Sequence, residues 1–325
     1  MAKLLRLVSP LRPFELAPII TISLVFVASP FLLPSYQTAI AFDVLRYACL
    51  AMALNLFYGL LGYVNFGQVA FYGLGGYAVA IFYKFLGVPM PLAPLLGGIL
   101  VAGIAYALAL PLLRTRGIYF VIATLGLAET IRLIFLKINF LGGSYGIVIL
   151  TTYELFEAYY TLLAVFASLV ALTYIMLKSD IGVKLRAIGE DEEAAESMGV
   201  DTTKYKRLAF TLSGFFTGLV GGIFAWLATY VSPETVFGLT TTIEMYIVVL
   251  IGGAGTVLGP FIGALVYYLS KISLLVYYPE AHLLIFGVLL MLTVRFVPRG
   301  LVGTFEWVAR RRRIVKLRGG SFVEG

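Results

Sequence analysis

Three polar side chains recur within a strongly apolar part of the chain at the spacing of a helix face. Asn65, Gln68 and Tyr72 occupy positions i, i+3 and i+7, so their amide and phenol groups would share one side of a helix. Such groups line a polar path, or they hydrogen-bond neighbouring helices to one another. The spacing leaves both interpretations open.

Glu129 and Arg132 form a second candidate group, spaced i and i+3. Opposite charges at this spacing pair on a helix surface, and charges within a long apolar helix normally face the interior of a helix bundle. One carboxylate and one guanidinium could bind the ammonium and the carboxylate of a zwitterion. We favour the simpler interpretation, a salt bridge that fixes helix packing.

The residue types that enzymatic chemistry needs are scarce. The chain has a single histidine, His282, and a single cysteine, Cys49, which provide neither an intrachain disulfide nor a metal cluster. The sequence also lacks the Gly-x-x-x-x-Gly-Lys-Ser/Thr phosphate loop that binds ATP. We therefore predict that the chain is not an enzyme and that it holds no cofactor or metal of its own.

Hydrophobic residues make up 61% of the chain, charged residues 13%, and the mean hydropathy is +0.97. Apolar stretches of about 20 residues recur, which is the length of a transmembrane helix. We predict an all-α, polytopic integral membrane helical bundle of about eight to ten transmembrane helices. Ten candidate spans lie near 16–33, 39–59, 62–83, 92–113, 117–136, 159–177, 208–230, 242–254, 257–277 and 283–297.

The eighth candidate span, 242–254, is too short to cross a bilayer on its own. We expect this span to be broken or partly re-entrant. Glycine-rich segments that include Gly252 and Gly253 would allow such backbone, because glycine lets helices approach closely. Broken backbone at depth occurs only where it is buried in protein or lines a cavity, so Gly252 and Gly253 are candidates for a translocation path.

The basic residues indicate how the chain is threaded through the membrane. With the N-terminus in the cytoplasm, the ends and loops on that side hold 19 of the 24 lysines and arginines, as the positive-inside rule requires. We expect a multi-pass protein of the plasma membrane with both termini in the cytoplasm. The bases lie at the ends of apolar stretches, which argues against binding to nucleic acid. A single domain, 1–325, comprises spans at 16–177, a cytoplasmic loop at 178–207, spans at 208–297 and a basic tail at 298–325.

The loop at 178–207 carries seven acidic and six basic residues, against 17 and 24 in the whole chain. Its carboxylates at 190–193 would occupy the first turn of a short helix, where they complement the helix dipole. Asp201 or Thr202 would cap a second helix that continues into the next span. The pattern predicts two helices joined by a turn on the membrane surface.

The short helix has a distinctive sequence, Glu193, Ala194 and Ala195 followed by three residues and Gly199. The two alanines and Met198 would give it a small, outward-facing apolar face, and Gly199 can adopt the left-handed conformation that ends a helix. This pattern resembles the permease subunits of ABC importers. The resemblance implies that these five residues form a coupling helix, which docks into a groove of a separate ATP-binding subunit.

The resemblance narrows to the branched-chain amino acid permeases of the LivM type. It is carried by segments in the same order along the chain: 62–73, 116–120, 142–144, 251–260 and 298–303. It implies import of branched-chain amino acids by a complex that contains a LivH-type sister permease, ATP-binding subunits and an extracytoplasmic substrate-binding protein, embedded in membrane lipid. Permeases of urea and short amides are an alternative within the family, and an ion-coupled secondary transporter is an alternative of another class.

Overall fold

The computed structural model describes residues 26–152, 154–277, 284–285, 287–288, 291 and 300–304. Most of the predicted first and tenth spans, His282 and most of the basic tail lie outside the described residues. The helices, in chain order, are α1 (Ser35–Leu61), α2 (Gln68–Leu86), α3 (Ala93–Leu112), α4 (Ile118–Lys137), α5 (Leu155–Lys178), α6 (Asp180–Glu190), α7 (Glu192–Ser197), α8 (Thr202–Ala228), α9 (Pro233–Val236), α10 (Leu239–Gly252) and α11 (Gly259–Tyr277). A short helical segment at 26–32 precedes α1.

Eight helical stretches within the described residues are long and apolar enough to cross a membrane. This confirms the predicted all-α membrane bundle. One of the eight, Pro233–Gly252, consists of α9 and α10, interrupted at Phe237 and Gly238. This helical stretch begins nine residues before the predicted span of 242–254 and is long enough to cross, so the expectation that the eighth span is too short is wrong, and the interruption lies before the predicted bounds.

The bundle is built around α1 and α8. In an apolar stretch of 18 residues in α1, 83% of the residues are buried, whereas only 17% are buried in the corresponding stretch of α4. Helix α8 packs against α1, α2 and α3, and α11 packs against α1 and α10. Helix α4 thus lies at the periphery and exposes most of its surface.

Helices α2 and α8 touch backbone to backbone. A Cβ atom added to Gly75 would lie 1.8 Å from the carbonyl oxygen of Gly218, and one added to Gly221 would lie 2.0 Å from that of Tyr72. A side chain at these positions would force the helices apart. Small residues therefore set this contact, as is usual where helices associate in membranes.

Helices α6 and α7 and the first turn of α8 form a compact unit that we call the elbow. We call the end of the bundle where it lies the elbow end, and the opposite end the far end. Towards the far end, two short strands, β1 (Ile147–Val148) and β2 (Tyr230–Val231), pair antiparallel with Ile147 opposite Val231. They tie the α4–α5 connection to the end of α8.

The connection between α1 and α2 runs back into the bundle. Gln68, the first residue of α2, hydrogen-bonds Ser213 and Thr217 of α8, which lie about 16 and 22 Å along that helix from its start. Residues 62–65 of the connection are not helical, and Asn65 and Gly67 are buried. Irregular backbone at this depth is tolerated because protein surrounds it.

Candidate functional site

The elbow begins with one more helix than the sequence predicted. Residues 180–190 form α6, and Glu190 ends that helix rather than starting the next one. Asp191 is the N-cap of α7, since its side chain accepts a hydrogen bond from the Ala194 backbone N–H at 3.0 Å. The prediction that Glu190 and Asp191 belong to the first turn of the short helix is therefore wrong, whereas Glu192 and Glu193 do occupy that turn.

The turn after α7 has the predicted geometry. Gly199 has a φ of +81°, the left-handed conformation that ends many helices. The Val200 N–H donates to the Ala195 carbonyl at 3.1 Å, and the Gly199 N–H donates to the Glu196 carbonyl at 2.9 Å. These two bonds define a Schellman motif. Of the two caps predicted for the next helix, Asp201 is the one used, because its side chain accepts from the Lys204 N–H at 3.0 Å.

The two alanines of α7 face opposite ways. Ala194 is exposed together with Glu193 and Met198, the last with 70% of its surface accessible. Ala195 is buried against the bundle. The prediction that both alanines face outward is wrong for Ala195, because consecutive residues point about 100° apart around a helix. Of the five residues predicted to dock, Glu193, Ala194, Met198 and Gly199 are therefore exposed, and Ala195 is not.

Glu192 fastens the elbow to the membrane helices. Its side chain is 9% exposed, and its carboxylate accepts a hydrogen bond from the Lys206 ammonium of α8 at 2.6 Å. The Tyr63 hydroxyl, in the connection between α1 and α2, donates to the same carboxylate. Sequence reasoning missed this role, because 14 residues separate Glu192 from Lys206 and 129 separate it from Tyr63.

The protonation states favour this contact. Burial by itself would raise the pKa of Glu192, but the hydrogen bonds from Lys206 and Tyr63 lower it below the ordinary value. Burial and the neighbouring Glu192 carboxylate raise the pKa of Tyr63. At neutral pH the glutamate is therefore charged and the phenol keeps the proton that it donates.

Arg116, just before α4, joins a third element to the elbow. Its guanidinium lies 3.3 Å from the Glu192 carboxylate, 3.5 Å from that of Glu193 and 4.0 Å from that of Glu196. The Thr202 hydroxyl of α8 also donates to the Glu196 carboxylate at 2.6 Å. A displacement of α7 would thus act on α4, α8 and the α1–α2 connection together.

Asn65 and Gln68 join helices to one another. The Asn65 amide donates to the Gln68 side-chain oxygen at 2.9 Å, and the Gln68 amide donates to the Ser213 hydroxyl at 2.9 Å. The Tyr246 hydroxyl accepts from the Asn65 backbone N–H at 2.6 Å. Asn65 precedes α2, so the predicted helix face contains only Gln68 and Tyr72.

Tyr72 belongs to a different cluster, at membrane depth towards the far end. The Arg46 guanidinium donates to the Tyr72 hydroxyl at 3.3 Å and pairs with the Asp43 carboxylate at 2.7 Å. A second ion pair joins Glu244 of α10 to Lys271 of α11 at 2.6 Å. Tyrosine hydroxyls donate to both carboxylates, that of Tyr268 to Asp43 and that of Tyr47 to Glu244. Each carboxylate oxygen of Asp43 and Glu244 therefore has a partner, and the network joins α1, α10 and α11.

Glu129 and Arg132 pair as predicted but on the other side of their helix. Their side chains meet at 2.6 Å, and the Glu129 side chain is 53% exposed. The expectation that they face the bundle interior is wrong. Apart from Thr130, the exposed surface of α4 around the pair is mostly apolar and includes Ile118, Tyr119, Ile122, Leu125, Leu133 and Ile134.

Gly252 and Gly253 lie at a tight joint between α10 and α11. A Cβ atom added to Gly252 would lie 1.8 Å from the Gly259 carbonyl oxygen, and Gly253 has a φ of +120°. The Asn55 side chain of α1 holds the joint, because its oxygen accepts from the Gly255 N–H at 2.8 Å and its amide donates to the Thr256 carbonyl at 3.0 Å. In this structure the glycines serve close backbone packing.

The sequence of the chain matches a known family of membrane proteins. The family described as the branched-chain amino acid transport system permease component matches residues 37–294. The chain belongs to this family. It is thus a multi-pass membrane permease component of an ABC importer and not an enzyme.

Individual relatives agree with this assignment. The high-affinity branched-chain amino acid transport system permease protein LivM of Salmonella typhimurium is 29% identical over 85% of this chain and 72% of the relative. A probable branched-chain amino acid transport permease protein LivH of Methanocaldococcus jannaschii is 25% identical over 81% of this chain and 90% of the relative. The guanosine ABC transporter permease protein NupQ of Bacillus subtilis is 33% identical over only 21% of this chain. No solved structure matches the chain.

Proposed function

We propose that this chain is a single-domain LivM-type permease that carries branched-chain amino acids across the plasma membrane. It works with a LivH-type sister permease, ATP-binding subunits and an extracytoplasmic substrate-binding protein. The chain holds no cofactor, and ATP is bound by the partner subunits. The elbow end and both termini face the cytoplasm, in agreement with the distribution of basic residues.

The observation that carries this proposal is the two-sided construction of the elbow. Its exposed side presents Glu193, Ala194 and Met198, a small surface that fits a groove on an ATP-binding subunit. Its buried side holds Ala195 and Glu192, and the latter contacts three separate membrane elements. Gly199 joins the two arms of the elbow, so movement of a docked subunit is passed to α4, α8 and the α1–α2 connection.

The exposed ion pair on α4 indicates where the sister permease binds. A charged pair facing hydrocarbon is strongly unfavourable, so ionised side chains at this depth face protein or water. Within the described residues no helix covers Glu129, and α4 is the least buried of the candidate spans. We place the LivH-type subunit against this face of α4.

The translocation path then runs along the seam between the two permeases, beside Glu129 and Arg132. These side chains are the polar groups of α4 that a zwitterionic amino acid would meet there. Asn65, Gln68, Gly252 and Gly253 support the path indirectly, since they hold the helices behind it in place. Tyr72 does the same through Arg46.

An ATPase assay tests the substrate. The complete complex is reconstituted in vesicles, and its ATPase activity is measured with the binding protein loaded with leucine, isoleucine, valine or urea. We expect stimulation by the three amino acids and none by urea. Stimulation by urea alone would overturn the substrate assignment while leaving the permease role intact.

Cross-linking tests the seam. The chain has one cysteine, Cys49, which is buried, so a cysteine placed at Ile122 on α4 is the reactive thiol. Ile175 on α5 is a matched control, because both isoleucines are 60% exposed. We expect Ile122→Cys, and not Ile175→Cys, to cross-link to the sister permease with a short bifunctional reagent. The reverse pattern would refute the proposed interface.

A further inference from the structure

A cavity of about 660 Å³ opens between α3 and the first turns of α8, at the elbow end. The side of α8 that lines it carries Lys204, Arg207, Leu208 and Thr211, which recur at the spacing of one helix face. Tyr106 of α3 forms the opposite wall. The cavity includes the first turn of α8, which is part of the elbow, and none of its lining residues belongs to α4.

Polarity changes along the cavity in the direction of the membrane. Lys204 lies in the first turn of α8, and Thr211 lies about 10 Å further along the helix. Between them Leu208 is exposed. The cavity therefore offers cations at the level of the membrane surface and an apolar wall below it. An amphipathic molecule with an anionic head would match this order.

The two cations of the cavity have no carboxylate partner within the described residues. Asp201 also lines the cavity, but its side chain caps α8 by accepting from the Lys204 backbone N–H. The contrast with Lys206 is direct, because that ammonium turns inward and pairs with Glu192 at 2.6 Å. Lys204 and Arg207 thus face the cavity without an ion pair, and Asp201 at the rim leaves the two cations with a net positive charge.

Arg207 is held in position by an aromatic residue. Its guanidinium donates to the Tyr106 hydroxyl at 3.0 Å and lies 5.0 Å from the centre of the same ring. Its Nε atom is buried and has no hydrogen-bond partner. Nearby, the Lys184 ammonium donates to the Tyr205 hydroxyl at 2.9 Å and adds a third positive charge beside the cavity. Tyrosine and arginine at a membrane surface are typical of contacts with lipid headgroups.

We propose that this cavity binds an anionic phospholipid. The phosphate diester lies between Lys204 and Arg207, and an acyl chain follows Leu208 and Thr211 towards the bilayer centre. The chemistry that the cations recognise is a phosphate anion, which a free phosphate also offers. The apolar wall and the position at the membrane surface favour a lipid as its source.

Titration of the full chain in detergent tests the proposal. The probes are dihexanoyl phosphatidylglycerol, dihexanoyl phosphatidylcholine and inorganic phosphate, and the measured quantity is the dissociation constant. We expect phosphatidylglycerol to bind most tightly. Lys204→Gln and Arg207→Gln should each weaken its binding about fivefold, the usual contribution of one basic residue near an anionic surface. Arg114→Gln, which removes an exposed cation outside the cavity lining, should leave it unchanged.

Two outcomes would overturn the proposal. Equal affinity for phosphatidylglycerol in the wild type and in the Lys204→Gln/Arg207→Gln double variant would show that the cavity is not the site. Inorganic phosphate binding as tightly as phosphatidylglycerol would show a free anion rather than a lipid. Because Lys204 is exposed, Lys204→Gln alone remains informative if a variant at Arg207 fails to fold.

Discussion

Replacement of Gly199 by valine tests whether the left-handed turn of the elbow is needed to couple ATP hydrolysis to transport. A Cβ atom at this position would meet no atom within 4 Å, and the glycine φ is +81°. Any effect of a side chain therefore comes from the backbone conformation and not from a clash. The left-handed conformation costs an L-residue about 1–2 kcal/mol, and a β-branched residue pays more than most.

That free energy is large for so small a unit. Helix α7 has six residues, and the Schellman bonds of Val200 and Gly199 end it. A loss of about 1–2 kcal/mol lowers the ratio of formed to unformed turn by a factor of about 5–30. We expect the complex with Gly199→Val to assemble in the membrane, hydrolyse ATP at its basal rate and lose most of its substrate-stimulated transport.

Asparagine provides the matched control, because it adopts the left-handed conformation more readily than other residues with side chains. Gly199→Asn should therefore keep most of the coupling, whereas Gly199→Val should not. The assay compares leucine uptake per ATP hydrolysed in vesicles that contain equal amounts of complex. Equal uptake ratios for the valine variant and the wild type would refute the role of this turn. Equal losses for valine and asparagine would show that space at the turn, and not φ, matters.

Three further predictions follow from the elbow and the helix contacts. Glu192→Gln leaves the Lys206 ammonium buried without a counter-ion, so this substitution should lower the free energy of unfolding by about 3 kcal/mol. The melting temperature in detergent should fall accordingly, whereas Glu193→Gln, at an exposed position, should leave it unchanged. Gly75→Ala should destabilise the chain because its Cβ would lie 1.8 Å from a backbone oxygen of α8, whereas Gly103→Ala, with open space around it, should be neutral or slightly stabilising. If both alanine variants melt alike, the close contact between α2 and α8 is not present. The pKa of Glu192 is lowered from 4.5, so its contribution to stability is complete above that pH and is lost as the pH falls through the lower folded-state value. The protection factors of the α7 amides, which compare their exchange rates with the intrinsic rates at the same pH, should fall below pH 4.5, and a fall between pH 7 and 5 would contradict the assignment.

The elbow shows how far local sequence signals reach. Gly199 and the capping residue Asp201 were predictable because a turn and a cap depend on neighbours a few residues away. Helix α6 was missed because its residues are mixed in polarity and because it ends at Glu190, only two residues before α7 begins at Glu192. Glu192 was missed because its partners come from distant parts of the chain.

Glu129 and Arg132 show what local sequence patterns do not predict. Their pairing followed from the spacing i and i+3, but the side of α4 on which they lie did not. Lipid tails and the interior of a helix bundle are similarly apolar, so hydropathy does not tell which face of a membrane helix is buried. Ala195, turned inward beside an exposed Ala194, depends in the same way on where α7 rests.

The sequence by itself determined the class of the protein, the membrane spans and the turn of the elbow, because hydrophobic length, charge distribution and helix capping are properties of short segments. Only the tertiary structure decided which residues meet. It brought Tyr63, Arg116 and Lys206 to Glu192, buried the amides of Asn65 and Gln68 between helices and left the ion pair of α4 exposed. These contacts depend on the packing of helices that are apolar on nearly every side, and no local pattern encodes that packing.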